Sequence, residues 1–209
     1  MKQFIIILLC SLAFISNAQV KRTPPDPNKP INTRTEDVKV RTRILFLFDA
    51  SNSMYAKLDN DNRINSAKKV LSRIIDSLKY QPSVELGLRV FGHRSPTAMR
   101  DCKDTKLEVP FEKDNHAKIT SFIQTIRPKG TTPIAYSLLQ SADDFPVEPG
   151  VRNIIVLITD GLEECDGDPC AVSEALQRKG IILKPFIIGI GGTELFKKAF
   201  DCVGRYYDA

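Results

Sequence analysis

From residue 43 onward, unbroken apolar runs alternate with segments whose apolar residues recur every three or four positions. Residues 44–48 read Ile-Leu-Phe-Leu-Phe, a run without a polar break, which predicts a strand over 43–49 buried on both faces. Residues 65–78 carry Ala67, Val70, Leu71, Ile74, Ile75 and Leu78 on one helical stripe. Residues 84–91 alternate as a second strand, and 105–111 predict a short third strand, antiparallel at the sheet edge. A helix is expected over 116–126, with Ile119, Phe122, Ile123 and Ile126 inward. Another follows over 133–144, with Pro133 in its first turn, where a missing N–H costs nothing. Residues 153–159, centred on Ile-Ile-Val-Leu-Ile, are the most strand-like of the chain. The pattern closes with a helix over 169–179 ended by Gly180, a buried strand over 181–190, a helix over 194–203 and a short strand beginning at Tyr206-Tyr207.

This alternation implies an α/β domain, a doubly wound, mostly parallel central sheet with one antiparallel edge strand and helices on both faces. Each parallel connection is expected to be right-handed. Residues 43–209 suffice for one domain with a sizeable core, and they hold no second linker and no internal repeat. Residues 1–18 read as a secretory signal rather than as fold. Lys2 gives the charged start, residues 4–15 the apolar segment, and Ser16-Asn17-Ala18 a small-residue cleavage site. That apolar segment is too short for a comfortable membrane span. Cys10 follows Leu9 rather than a small residue, so it does not fit a lipid-anchor cysteine. Residues 19–42, with four prolines and almost no apolar periodicity, are expected to be a linker or extended arm. The expectation is an exported chain, periplasmic or secreted, cleaved near Ala18 and without a transmembrane segment once mature.

Charge and cysteines sharpen the compartment more than the chemistry. Removing residues 1–18 takes one lysine and no acid from 30 basic and 25 acidic side chains, leaving a mild charge near +4. There is no basic block and no interleaving of aromatic with basic residues, which argues against nucleic acid. Cys102, Cys165, Cys170 and Cys202 remain, and an even count in an oxidising compartment favours two disulfides. Three pairings are open. Zinc is the competing reading, but the spacing of Cys165 and Cys170 has no second close pair to match it. A buried free thiol is a further alternative at Cys202, which shares a helix face with Leu195 and Ala199.

The candidate chemistry lies where the strands end. The first strand stops in Asp49-Ala50-Ser51-Asn52-Ser53, one carboxylate followed by two hydroxyls at alternate positions. On a loop at the carboxyl end of a parallel strand, where open α/β sheets bind ligands, these oxygens suit a hard divalent cation. Lys129-Gly130-Thr131-Thr132-Pro133 offers a hydroxyl at a helix start, and Thr159-Asp160-Gly161 ends the strongest strand in a carboxylate and a permissive turn. Together these three motifs resemble, in order and spacing, the metal-ion-dependent adhesion site of von Willebrand factor type A domains. The resemblance covers about residues 43–209 and implies the Rossmann-like fold of that family. It implies Ser51 and Ser53 as direct ligands, Thr132 as a direct or water-mediated one, and Asp49 and Asp160 as carboxylates that orient bound water or touch the ion. Thr131 is the rival of Thr132. Further segments, among them 88–94, 101–105 and 160–170, resemble a secreted bacterial branch of the family.

The resemblance implies Mg2+, with Mn2+ or Ca2+ as alternatives, and a partner acidic side chain in the open coordination position. The partner would be a protein or surface glycoconjugate, and the chain a monomer or a subunit of a larger envelope assembly. A metal-stabilised scaffold in such an assembly is the first alternative. A metal-dependent phosphohydrolase is the second, opposed by motifs that contain no histidine or lysine for proton transfer. An enzyme is therefore not expected. Asp59-Asn60-Asp61-Asn62 opens like a calcium loop but has Ile64 and Val70 where a glycine and an acid are needed, so it reads as a solvated turn. Glu163, Glu164, Asp166 and Asp168 read as solvated loop charges rimming the site. His93 and His116 lie in different segments, and His93 reads as structural. Residues 188–192 lack the spacing and lysine of a phosphate loop.

Overall fold

A computed structural model describes residues 40–178, 186–191 and 194–209. The expected signal and almost all of the expected arm, Gly180 and the first part of the strand expected over 181–190 lie outside the described residues.

β1 (Arg41–Asp49) occupies the middle of a six-stranded sheet because every residue from Leu45 onward is shielded on both faces. Two short strands, β2 (Lys57–Leu58) and β3 (Asp61–Asn62), form a hairpin after it. β4 (Val84–Phe91), β5 (Thr105–Glu112), β6 (Val151–Thr159), β7 (Phe186–Gly189) and β8 (Arg205–Asp208) complete the set. The order across the sheet is β5-β4-β1-β6-β7-β8. All neighbours pair parallel except β4 with β5, so the antiparallel strand stands at the edge. β1 starts two residues before the expected position because Arg41 and Thr42 find partners in Val151 and Arg152.

Among the described residues, five α-helices cover the sheet: α1 (Arg63–Leu78), α2 (His116–Thr125), α3 (Ile134–Asp144), α4 (Pro169–Arg178) and α5 (Glu194–Phe200). The pleat of β1 sends Phe46 and Phe48 into a core with Leu71, Ile75, Ile119 and Ile123. It sends Leu45 and Leu47 into a second core with Ile134, Leu138, Leu176 and Phe200. Each such buried side chain contributes about 1.5–3 kcal/mol. The uniform apolar run of β1 thus records two cores rather than one.

Two helix ends differ from expectation. α3 starts at Ile134, because Pro133 adopts φ −85° and ψ 68°, an inverse γ-turn in which Ile134 N–H bonds the Thr132 carbonyl at 3.1 Å. α5 ends at Phe200 rather than 203, and the turn after it brings Cys202 to Cys170. The four cysteines form Cys102–Cys165 and Cys170–Cys202, so the free thiol considered at Cys202 and the zinc alternative both fall. The loop considered for calcium is instead the β2–β3 turn and the start of α1. Asp61 accepts from Asn62 N–H, Asn65 and Lys69, and Asn62 caps the helix through Asn65 N–H. These bonds to Asp61, Lys69 first, hold its carboxyl down at about 2.

Candidate metal centre

In the sheet order, the chain leaves β1 toward β4 and later crosses to β6 on the other side, so the ends of β1 and β6 flank the switch point. Asp49 ends β1 and Asp160 follows β6. Two further loops, after β4 and before α3, reach the same place and are stitched to it by backbone. Asn52 N–H bonds Gly130 O at 2.8 Å, Lys129 N–H bonds Ala50 O at 3.0 Å, and Gly130 N–H bonds Gly92 O at 2.8 Å. Gly92 makes this approach possible: its φ is +68°, and a Cβ there would lie 2.6 Å from the Thr131 carbonyl and 2.8 Å from Ser51 N. Gly92 was not singled out from the sequence, and only its place at a strand end hinted at it.

The side chains form a chain of oxygens. Ser51 and Ser53 hydroxyls share a hydrogen bond of 2.9 Å, and Ser53 Oγ donates to Asp160 Oδ1 at 2.9 Å. Since Ser53 has one proton, Ser51 is the donor between the two serines. Asp49 is fully buried; its Oδ1 accepts from Ser51 N–H at 2.7 Å and its Oδ2 from Thr159 Oγ1 at 2.5 Å. Burial first, and then the charge of Asp160, push the Asp49 carboxyl up to about 7. Thr132 is buried, and its hydroxyl and that of Ser53 lie 3.9 and 3.7 Å from where a Cβ on Gly161 would stand. The bare Cα of Gly161 therefore faces Ser53 and Thr132, whose methyl lies 3.8 Å from the same point. Thr131 turns elsewhere: its hydroxyl donates to the Asp101 carbonyl at 3.3 Å and lies 4.0 Å from Cys165 Sγ.

Four more residues at the site were not assigned to it from sequence. Thr159 locks Asp49, and only its place before Asp160 could have marked it. Arg63, the first residue of α1, bonds Asp160 Oδ2 through Nη1 at 2.7 Å. Glu163 and Glu164, read as solvated charges, are engaged. Glu163 accepts from Ala135 N–H at 2.6 Å and from Cys165 N–H at 2.8 Å, and Glu164 accepts from Thr132 N–H at 3.1 Å. A carboxylate at the open N–H groups of a helix start gains from both hydrogen bonds and dipole. Asp168 does the same for Cys170 and Ala171 N–H at the start of α4. His93 bonds Glu108 on the edge strand at 3.0 Å.

The residues present fit a hard divalent cation. Every donor is oxygen, most are neutral hydroxyls, and the charge of Asp160 raises the proton affinity of the buried Asp49 where a cation would relieve it.

Residues 44–198 match the von Willebrand factor type A domain model. The chain belongs to the von Willebrand factor type A family. Uncharacterized protein YwmC of Bacillus subtilis (strain 168) is 29% identical over 187 residues, covering 85% of this chain and 80% of its own. Among solved structures, BatB from Bacteroides thetaiotaomicron superposes with a TM-score of 0.63 at 22% identity, covering 80% of this chain and 90% of BatB. Proximal thread matrix protein 1 of the mussel byssus, solved with zinc in its metal-ion-dependent adhesion motif, gives 0.60 at 20% identity over 80% of this chain and 41% of its own. At these identities the two structures share the type A fold with this chain. The mussel protein's site holds a divalent metal.

Proposed function

We propose that this type A domain is an exported, non-enzymatic module that binds a protein partner through a divalent cation. Ser51, Ser53, Thr132 and Asp160 would hold the ion, with Asp49 behind them. The observation that carries the reading is the chain from Ser51 through Ser53 to Asp160: both serine protons are spent on oxygen neighbours, which leaves lone pairs for an ion. Mg2+ suits six hard oxygens and keeps water in positions the protein does not fill. A donor set rich in neutral hydroxyls leaves the cation electrophilic, so an acidic side chain of the partner is the natural incoming ligand.

The surface around the site supports a protein partner. Tyr55, Met99 and Leu162 are exposed on three loops of this sheet edge. Arg94, Arg100 and Lys103 are exposed on the loop between β4 and β5, a positive rim suited to an acidic partner. Export is supported by the expected signal and by two disulfides. Among the described residues no helix is long and apolar enough to cross a membrane.

The test is Asp49→Ala. We expect Mg2+ binding by calorimetry to be lost while thermal unfolding stays cooperative. Unchanged Mg2+ affinity would sink the reading. Recovery of a partner from the envelope fraction in Mg2+ but not in EDTA is expected of the recognition role, whereas a scaffold would retain it in both.

A further inference from the structure

We propose that Arg63 is the resident counter-cation of this site, competing with the divalent ion for Asp160 and so setting how tightly the ion is held. The inference rests on the metal-binding reading above and concerns its regulation by the chain itself.

Asp160 is shared between two claims. Its Oδ1 faces Ser53 and the proposed ion, and its Oδ2 accepts from Arg63 Nη1 at 2.7 Å. The Asp160 side chain is fully shielded, whereas that of Arg63 keeps 28% of its surface. A buried carboxylate needs a positive partner, and without an ion Arg63 is the one in contact. Its position has no other ready explanation. As the first residue of α1, next to the cap Asn62, it sets a cation at the positive end of a helix, which the dipole disfavours. Its Nε is buried without a hydrogen-bond partner, so the guanidinium is held chiefly through its Nη1 bond to Asp160.

Arg63 and the ion would bind opposite oxygens of one carboxylate, within several ångströms of each other. Repulsion at that range, in a partly shielded site, weakens binding of a free ion by roughly tenfold or more. A partner carboxylate would offset the same repulsion, so the ion and the partner would bind as a pair more readily than the ion alone.

The test compares wild type, Arg63→Gln and Arg63→Lys by calorimetric titration with Mg2+ and with Mn2+, and by thermal unfolding. Arg63→Gln is expected to bind Mg2+ about tenfold more tightly, with Arg63→Lys close to wild type because the charge is kept. Equal or weaker binding in folded Arg63→Gln, with wild type still binding, overturns the competition and leaves the metal reading standing. No binding in either protein overturns both. A second measurement covers failure of the variant to fold: in wild-type protein the Arg63 Nε–H resonance should shift on Mg2+ addition with the calorimetric midpoint. A resonance that stays fixed while Mg2+ binds overturns the inference.

Discussion

At the scale of single residues, the centre depends on positions where a small change of shape propagates into two or more loops. Gly92 is the sharpest case. Any side chain there must adopt a left-handed φ and also enter the space of Thr131 and Ser51 backbone. Gly92→Ala is expected to lose about 1–3 kcal/mol from the backbone conformation alone, and more from the clash. Mg2+ affinity should fall with it. Gly150 offers the control: its φ is +75°, but nothing lies within 4 Å of the added Cβ. Gly150→Ala should cost about 1 kcal/mol in urea unfolding and leave Mg2+ affinity unchanged. Asp49, Ser51, Ser53, Thr132 and Asp160 were legible in the sequence because their residue types carry the chemistry. Gly92, Thr159 and Arg63 were not, since their contribution is approach and contact rather than type.

At the scale of elements, α3 explains how Thr132 is presented. Pro133 cannot donate a hydrogen bond, and the γ-turn at this residue aims the preceding segment at the sheet edge before the helix begins. The open N–H groups that result are met by Glu163 and Glu164 from the loop after β6. Glu163→Ala removes the acceptor of both Ala135 N–H and Cys165 N–H. We expect a loss of about 1–2 kcal/mol in urea unfolding, with a several-fold weaker Mg2+ affinity, because the loop that grips Thr132 loosens. Glu163→Gln keeps one of the two acceptor oxygens and sets its NH2 against the other N–H, so it should recover only part of the stability. The helix itself was legible, expected over 133–144 and found over Ile134–Asp144. Its cap was not, because the capping carboxylates come from a segment 28 and 32 residues further along.

At the scale of the molecule, the two disulfides divide the work. Cys102–Cys165 ties the loop between β4 and β5 to the loop after β6, joining two walls of the centre across 63 residues of sequence. Cys170–Cys202 ties α4 to the turn after α5 across 32 residues. Chain entropy puts each bridge at about 4 kcal/mol, with measured bridges commonly giving 2–4. Replacing Cys102 and Cys165 together by Ser should lower both stability and Mg2+ affinity. Replacing Cys170 and Cys202 together should lower stability by a similar amount and leave Mg2+ affinity nearly unchanged. Equal loss of metal affinity in the two double variants would show that the first bridge has no special hold on the site.

The sequence by itself determined the fold class, the order of elements and the three oxygen motifs, because apolar periodicity and residue type are local properties of the chain. β4, for example, occupies the residues its alternation predicts, and β5 is the antiparallel edge strand. Only the tertiary structure decided the pairing of the cysteines, the carboxylate caps on α3, and that Thr132 lies beside Gly161 while the Thr131 hydroxyl bonds the Asp101 carbonyl. It also placed Arg63 on Asp160, 97 residues away. These depend on which loops meet at one sheet edge, and that is set by strand order and close backbone approach rather than by any pattern along the chain.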